Sequence, residues 1–363
     1  MPYPPDYGGV FDLFYKIKSL HQLGVKIHLH CFEYGRGEQA ALNQYCEKVY
    51  YYKRNKSVFS FANRLPYIVS SRKNTLLLKN LNSIDAPVLL EGIHCTYYLF
   101  SKQLKQKNVW VRLHNVEFEY YAKLANVTKS VFKKLYFFTE SNLLKNYEFI
   151  IAQKASLLTV SEKDKKTYQN KFDAKHISYL PVFLPFTDVQ SLEGKGTFCL
   201  YHGNLSVPEN EKAVRWLVKN VFQNLDFQFI IAGKNPAPSL KNLVSKNTNI
   251  QLIENPGEAE MNALIKNAHI HLLPSFNSTG IKIKLLSALF NGRFIITNHA
   301  SVDGTGLERA CTIAEKPNEF RKHILQLFGQ PFTKENIGER KIMLQNEYDN
   351  NKNAQKLLSL LGF

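Results

Sequence analysis

PSFNSTGIKIKLLSALFNGRFIITN, residues 274–298, is the stretch whose reading decides the fold. The apolar run His269 to Leu273 before it reads as a short strand that enters a Ser/Asn/Thr/Gly turn. A helix is predicted from Gly280 to Asn291-Gly292, and a second strand follows over Phe294 to Thr297. Strand, polar turn, buried helix and strand make the βαβ unit of a parallel sheet. The turn of such a unit lies at the carboxyl end of the strand, where ligands bind. Lys282 and Lys284 fall in the first helical turn with no acidic residue among them. That sign opposes the helix dipole, which favours negative charge there. Unpaired N–H groups plus two ammonium groups suit a bound anion, and phosphate is the expectation.

Working outward, the second half of the chain alternates in the same way. Phe198-His202, Phe227-Ala232 and Ile250-Ile253 read as strands. Helices fit Asn210 to Phe222, Pro238-Ser245 and Glu258-Asn267. Short apolar strands spaced by helices predict a doubly wound parallel sheet. In the first half, Val25-Phe32, Val49-Tyr52, Val88-Leu90, Trp110-Leu113 and Leu157-Val160 read as strands. Helices there fit Val10-Leu23, Thr75-Leu81, Tyr97-Gln106 and Lys129-Gln153. Two prolines and a loss of periodicity over Pro181-Pro185 mark a linker.

Composition sets the outer limits. At 363 residues the chain predicts two domains, and 44% hydrophobic with 21% charged residues is ordinary for a globular protein. The 47 basic and 30 acidic residues give +17, which favours nucleotide phosphates, nucleic acid or an anionic membrane surface, unless it reflects a Lys/Asn-rich proteome. Nucleic acid needs a continuous basic face with interleaved aromatics, and these lysines are dispersed. Cys31, Cys46, Cys95, Cys199 and Cys311 are odd in number and scattered, which points to reduced thiols and a cytoplasmic location rather than a disulfide framework or zinc site. No apolar run reaches membrane-spanning length, so membrane contact is expected to be peripheral, at the inner face. Walker loops, His-Glu-x-x-His and Gly-x-Ser-x-Gly are all missing.

The segment Gly280-Ile281-Lys282-Ile283-Lys284-Leu285-Leu286-Ser287-Ala288-Leu289-Phe290-Asn291-Gly292 resembles the donor-site segment of the family 4 glycosyltransferases. Those are retaining enzymes built from two Rossmann-like domains facing each other across a cleft, the fold called GT-B. Lys282, Lys284, Leu286, Ala288 and Gly292 match the family pattern, whereas Thr279 and Ser287 hold the two positions where the family carries Glu. The resemblance implies residues 1–183 as an acceptor-side domain, 184–333 as the nucleotide-sugar domain, and 334–363 as a terminal helix crossing back to the first. Family members begin with a strand before the first glycine loop. Here the chain opens MPYPPDYGG, so that strand is expected to be missing or replaced by another segment.

The resemblance also distributes roles. Gly8 and Gly9, with their Pro-rich lead, match the glycine loop between donor and acceptor, a reading favoured over an ordinary Pro/Gly turn. His114, within Arg112-Leu113-His114-Asn115-Val116-Glu117, matches the family's His-Asn-x-Glu segment beside the transferred sugar, and imidazole can donate to a sugar hydroxyl. Asn115 and Glu117 go with it on the acceptor side, Glu117 being equally suited to stabilise a helix N-terminus. Glu91 and His94 end another strand and would shape the acceptor pocket or serve as caps. Gly203 and Asn204, in the run His202 to Asn210, match the segment lining the donor diphosphate; Asn204 stands where relatives have a cation, and Lys212 or Lys234 after Gly233 could supply it. Ser275, Thr279, Gly280, Ile281 and Ser287 complete the donor set. Helical spacing puts Lys284 on the face of Gly280 and Ser287 and makes it the favoured phosphate contact.

The expected activity is thus transfer of a sugar from a nucleotide diphosphate to a hydroxyl of a glycan or lipid-linked acceptor in cell-surface polysaccharide synthesis. With no Asp-x-Asp motif, no metal or other cofactor is expected, and cationic groups would support the leaving diphosphate. The alternative is a non-catalytic partner subunit that keeps the fold and binds nucleotide.

Overall fold

A computed structural model describes residues 1–5, 8–33, 35–55, 64–128, 130–277 and 279–363. The chain divides into two units, residues 1–185 with 348–363, and residues 186–347. In the first, α1 (Gly8–Gln22) precedes a parallel pair, β1 (His28–Phe32) and β2 (Lys48–Tyr52). Two short helices, α2 (Tyr67–Ser70) and α3 (Thr75–Asn82), lead to β3 (Val88–Glu91). Then follow α4 (Tyr97–Phe100), β4 (Val109–Leu113), α5 (Glu117–Val127), α6 (Val131–Ala152), β5 (Ser156–Thr159), α7 (Glu162–Phe172) and β6 (Ile177–Tyr179). Strands β3, β4, β5 and β6 pair in that order, all parallel.

The apolar strands are covered on both faces. Val111, Leu113 and Leu157 pack against Leu144, Tyr147 and Ile151 of α6. Leu158 faces the other way, with Leu20 of α1 and Phe183. Among the described residues no strand precedes α1, and the strands of this unit form two separate ladders. The partly buried Met1 amino group lies within electrostatic reach of Cys31 on β1 and Cys95 beyond β3.

The second unit alternates β7 (Phe198–His202), α8 (Pro208–Trp216), β8 (Gln228–Gly233), α9 (Pro238–Val244), β9 (Ile250–Glu254), α10 (Glu258–Asn267), β10 (Ile270–Leu272), α11 (Ile283–Asn291) and β11 (Phe294–Thr297). It ends with α12 (His299–Val302), β12 (Thr312–Ile313), α13 (Pro317–Phe328) and α14 (Lys334–Glu347). The six strands run parallel in the order β12-β11-β10-β7-β8-β9. The chain moves outward from β7 to β9 and then returns to β7's other side with β10. Its topological switch point therefore lies between β7 and β10.

Several expected boundaries move. Residues 334–363 are two helices rather than one. Asp349 caps α15 (Asn350–Leu361) by accepting from the N–H groups of Asn351 and Lys352, which breaks the run after α14. Arg340 holds α14 to the second unit by donating to the carbonyls of Gly292 and Arg293, both at 2.7 Å. Leu357 and Leu361 of α15 join the first unit's core, and Asn350 pairs with both backbone groups of Leu184. The helix expected over Tyr97-Gln106 stops at Phe100, because Lys102 takes a left-handed φ of 58°. The helix expected from Lys129 begins at Val131 with Ser130 as its cap; Lys129 itself is outside the described residues.

Candidate functional site

Two loops meet at the switch point, and glycine permits the meeting. A Cβ on Gly233 would overlap the carbonyl oxygen of Gly203, so only a bare backbone lets the β7 and β8 loops touch. Leu205 N–H donates to the Lys234 carbonyl at 2.9 Å and closes the contact, while the Lys234 side chain is exposed. The Asn204 side chain is spent within its own loop, accepting from the Ser206 N–H and hydroxyl. Its carbonyl accepts from Asn210 Nδ2 at 2.8 Å.

Across the switch point comes α11. Gly280 adopts φ 63°, and the helix starts three residues later than the sequence reading has it, with Lys282 as the N-cap. The reason is local: the left-handed glycine turns the chain, and Lys282 Nζ reaches back to the Thr279 carbonyl at 2.7 Å. Thr279 in turn donates to Asn277 Oδ1 through both N–H and hydroxyl. Lys282 makes no side-chain cap bond to α11 and the first turn has no acid, so among the described residues no cap or first-turn acid offsets the positive end of its dipole. Ile281 and Ser287 are half-buried beside it.

Lys284 points into the switch point. Its Nζ donates to the Tyr201 hydroxyl at 2.9 Å and to Asn210 Oδ1 at 2.8 Å, and its stem would touch a Cβ on Gly203. Burial pulls its pKa down to about 8, against an upward pull from Glu209 and a further downward one from Lys282. Glu209 is the residue sequence reasoning missed: from the first turn of α8 it accepts from Ser275 Oγ at 2.5 Å, linking that loop to α8. Lys212 turns elsewhere and stacks 4.8 Å over the ring of Phe276, which also contacts Trp216. Gly203, Gly233, Ser275 and Lys284 are thus brought together, whereas the Lys212 and Lys234 side chains are not drawn into the Lys284 network. Lys284 has a third N–H beyond its two bonds, which is what an anion would need.

The first unit gathers a different constellation. His114 Nε2 lies 3.2 Å from Glu91 Oε2, so two residues singled out in the sequence meet at the ends of β3 and β4. Beneath them Asp12 of α1 receives Arg112 Nε and Nη2, each at 2.9 Å, and the Phe183 N–H at 2.8 Å. Lys16 bridges Glu91 at 2.7 Å and Asp12 at 3.2 Å. Burial alone would push the Asp12 carboxyl up, but Arg112 and then Lys16 hold it well below the usual range. Glu91 is likewise lowered, against burial, by Lys16 and His114.

Asp12, Glu91 and His114 also converge closely enough to hold a metal ion. Each carboxylate already faces a buried cation, so the donor set has no uncompensated charge with which to attract one. His94 covers Gly92, where its ring occupies the space of a Cβ. Glu117 is raised to about 7 by burial, with Asn115 bonding its carboxyl, while its N–H donates to Glu148 at 2.9 Å. Gly8 and Gly9 open α1, and the Asp6 and Tyr7 of their loop fall outside the described residues. Sequence reasoning also passes over the network of Asp12, Lys16 and Arg112. A charge inside the apolar run Trp110-Leu113 needs a buried partner, and that is the signal the sequence offers.

The fold has close counterparts among solved structures. A sucrose-phosphate synthase from Thermosynechococcus elongatus superposes with a TM-score of 0.70 over 98% of this chain and 92% of its own, at 12% identity. The chain has the GT-B fold. TarM from S. aureus, solved with fondaparinux, α-GlcNAc-glycerol and UDP, gives a TM-score of 0.59 at 13% identity over 79% of this chain. This chain spans 58% of TarM's length. At the level of sequence, a Klebsiella pneumoniae protein described as an uncharacterized 44.6 kDa protein in the cps region is 29% identical, covering 97% of this chain and 95% of its own. No family model matches. On the GT-B sheet, the switch point holding Lys284 is the position at which open α/β sheets bind ligands.

Proposed function

We propose that the protein is a glycosyltransferase that binds a nucleotide diphosphate sugar at the second unit's switch point and transfers the sugar, with retention, to a hydroxyl of a glycan or lipid-linked acceptor. One observation carries the reading: a partly buried lysine, Lys284, lies at that point beside the N-terminus of α11, whose first turn has no acid, with an N–H to spare. In its charged form it would stabilise the negative charge that grows on the leaving diphosphate, and the N–H groups opening α11 would add to it. Such cationic assistance needs no metal. Lys282, committed to the Thr279 carbonyl, would act mainly by its field. On the acceptor side, the first unit would offer His114, its ring held by Glu91, to a sugar hydroxyl.

UDP in the TarM structure makes a uridine diphosphate donor the first to test, and a hexose is the transferred group proposed with it. The K. pneumoniae relative's cps region supports a place in cell-surface polysaccharide synthesis. A second reading, a non-catalytic nucleotide-binding subunit, is favoured by Thr279 and Ser287, which are uncharged where family 4 enzymes carry Glu. Calorimetry with UDP and GDP, followed by donor consumption over a panel of nucleotide sugars, separates the two. Binding lost in Lys284→Ala with turnover in the wild type supports the enzyme; binding without turnover on any donor supports the subunit. No binding at all overturns both.

A further inference from the structure

Helix α6 is built inside out, and this observation is independent of the donor site. Its inward face buries Leu144, Tyr147, Ile151 and Ala152 in the usual way. Its outward face should then be polar. Instead Val131, Leu135 and Phe138 follow one another at spacings of four and three residues along the solvent side, with Phe132 beside them. Phe132 is 88% exposed, Leu135 64% and Phe138 60%. The stripe resumes a further three turns along at Phe149, which is also exposed.

Charge on the same helix is sorted just as sharply. Its two acids both turn inward: Glu140 accepts from the Tyr67 N–H, and Glu148 accepts from the N–H groups of Glu117 and Phe118 and from the Tyr168 hydroxyl. Lys133, Lys134 and Lys145 are exposed. The outer side of α6 therefore carries large apolar groups flanked by ammonium groups, with no carboxylate. No described helix is long and apolar enough to cross a membrane, and α6 has its other face in the core, so it can only lie along a surface.

We infer that the outer face of α6 docks the protein on an anionic lipid bilayer, Phe132, Leu135 and Phe138 entering the acyl boundary while Lys134 and Lys145, which lie beside the stripe at helical spacing, meet lipid phosphates. Charge decides between occupants. A second copy related by a two-fold axis would bring the same lysine-flanked stripe against itself, setting ammonium against ammonium. An anionic bilayer satisfies both halves of the pattern, and the chain's net charge of +17 adds a long-range attraction.

The test uses the full chain in flotation with vesicles of phosphatidylcholine alone or mixed with phosphatidylglycerol. The expected result is partition onto the anionic vesicles only, weakening as salt is raised. Phe132→Ser with Phe138→Ser, and separately Lys134→Glu with Lys145→Glu, should each lower that partition by at least about tenfold. These side chains are exposed, so the variants should keep the wild-type circular dichroism and UDP titration. Equal partition onto both vesicle types, no partition, or variants that bind as the wild type does would overturn the inference. So would a concentration-dependent dimer, seen by analytical ultracentrifugation, that the Phe132→Ser/Phe138→Ser variant abolishes. A lost UDP titration with intact vesicle binding would instead strike the donor reading alone.

Discussion

Lys284 Nζ donates to Asn210 Oδ1 at 2.8 Å, which ties the start of α11 to the first turn of α8 beyond the carboxyl ends of the neighbouring strands β10 and β7. The Tyr201 hydroxyl donates to the same oxygen at 3.1 Å. A cation is thus held at the switch point by two neutral groups, with Glu209 as the acidic neighbour that draws its pKa upward. That arrangement keeps the ammonium oriented without neutralising it, which is what an anion site requires.

Nucleotide affinity should therefore follow the Lys284 proton. Burial brings its pKa to about 8, so the ammonium is intact below that pH and is lost above it. Diphosphate itself gains no further charge between about pH 7 and about pH 9.5, since its last ionisation lies near 6. UDP affinity measured by calorimetry should be flat to about pH 8 and then fall by up to about tenfold per pH unit. Lys284→Arg, whose guanidinium stays charged, should abolish that fall. A wild-type profile that stays level to about pH 9.5 would remove Lys284 from the site.

The same lysine should cost the unliganded protein stability. The unfolded chain holds the proton up to the ordinary value of 10.5, whereas the native state gives it up near 8. Between those values the unfolded state binds more protons, so this group's contribution to stability rises with pH across that window, and at neutral pH it is unfavourable. Lys284→Met removes the cation and leaves the Tyr201–Asn210 bond in place. It should raise stability by about 1 kcal/mol, read as a higher Tm at pH 7, while UDP binding is lost. A lower Tm would mean that the lysine's hydrogen bonds outweigh its desolvation.

How much of this is visible in residues alone depends on range. The second unit's strands are legible because parallel strands buried on both faces read as unbroken apolar runs, as Phe229 to Ala232 and Ile295 to Ile296 do. Lys284 stands out through its conflict with the helix dipole. The true start of α11 is not visible, since it depends on the φ of Gly280 and on Lys282 folding back to Thr279. Glu209 is hidden because its meeting with Ser275 spans 66 residues, and Asp12 because its partner Arg112 is 100 residues away. The outward apolar stripe of α6 cannot be separated by periodicity from a buried one, because the helix is apolar on both sides.

Backbone contact between Gly233 and Gly203 offers a test of the loops apart from the lysine. Gly233→Ala places a methyl on the Gly203 carbonyl oxygen, and backbone cannot step aside as a flexible side chain can. The β7 loop must shift, at a cost of about 1–3 kcal/mol in stability. Because Gly203 also borders the Lys284 stem, UDP affinity should fall together with Tm. Gly257→Ala is the control for the loop contact, since a Cβ there meets nothing within 4 Å; it should leave UDP affinity unchanged and lower Tm only by the small cost of Ala at the N-cap of α10. An unaltered UDP affinity in Gly233→Ala would detach the loop contact from the site.

Burial, not distance, should set what ion pairs are worth here. Arg112 Nε meets Asp12 Oδ2 at 2.9 Å, and Lys341 Nζ meets Asp188 Oδ2 at the same 2.9 Å. The first pair is almost fully out of water, while both side chains of the second are more than 40% exposed. Lys341→Ala should cost less than about 1 kcal/mol, because water screens the pair and both chains are costly to hold in one geometry. Arg112→Met leaves Asp12 with Lys16 alone as its strong counter-charge, and strips donors from the Leu180 and Pro181 carbonyls. Its expected cost is about 3–5 kcal/mol, read as a lower urea midpoint. Because Asp12 also lies 3.7 Å from His114 Nδ1, the His114 ring should lose its fixed setting in that variant. The His114 Cε1 proton shift, followed by NMR at one fixed pH, should then move in Arg112→Met and stay in place in Lys341→Ala. Equal costs for the two substitutions would show that the Asp12 network is not the anchor of the first unit.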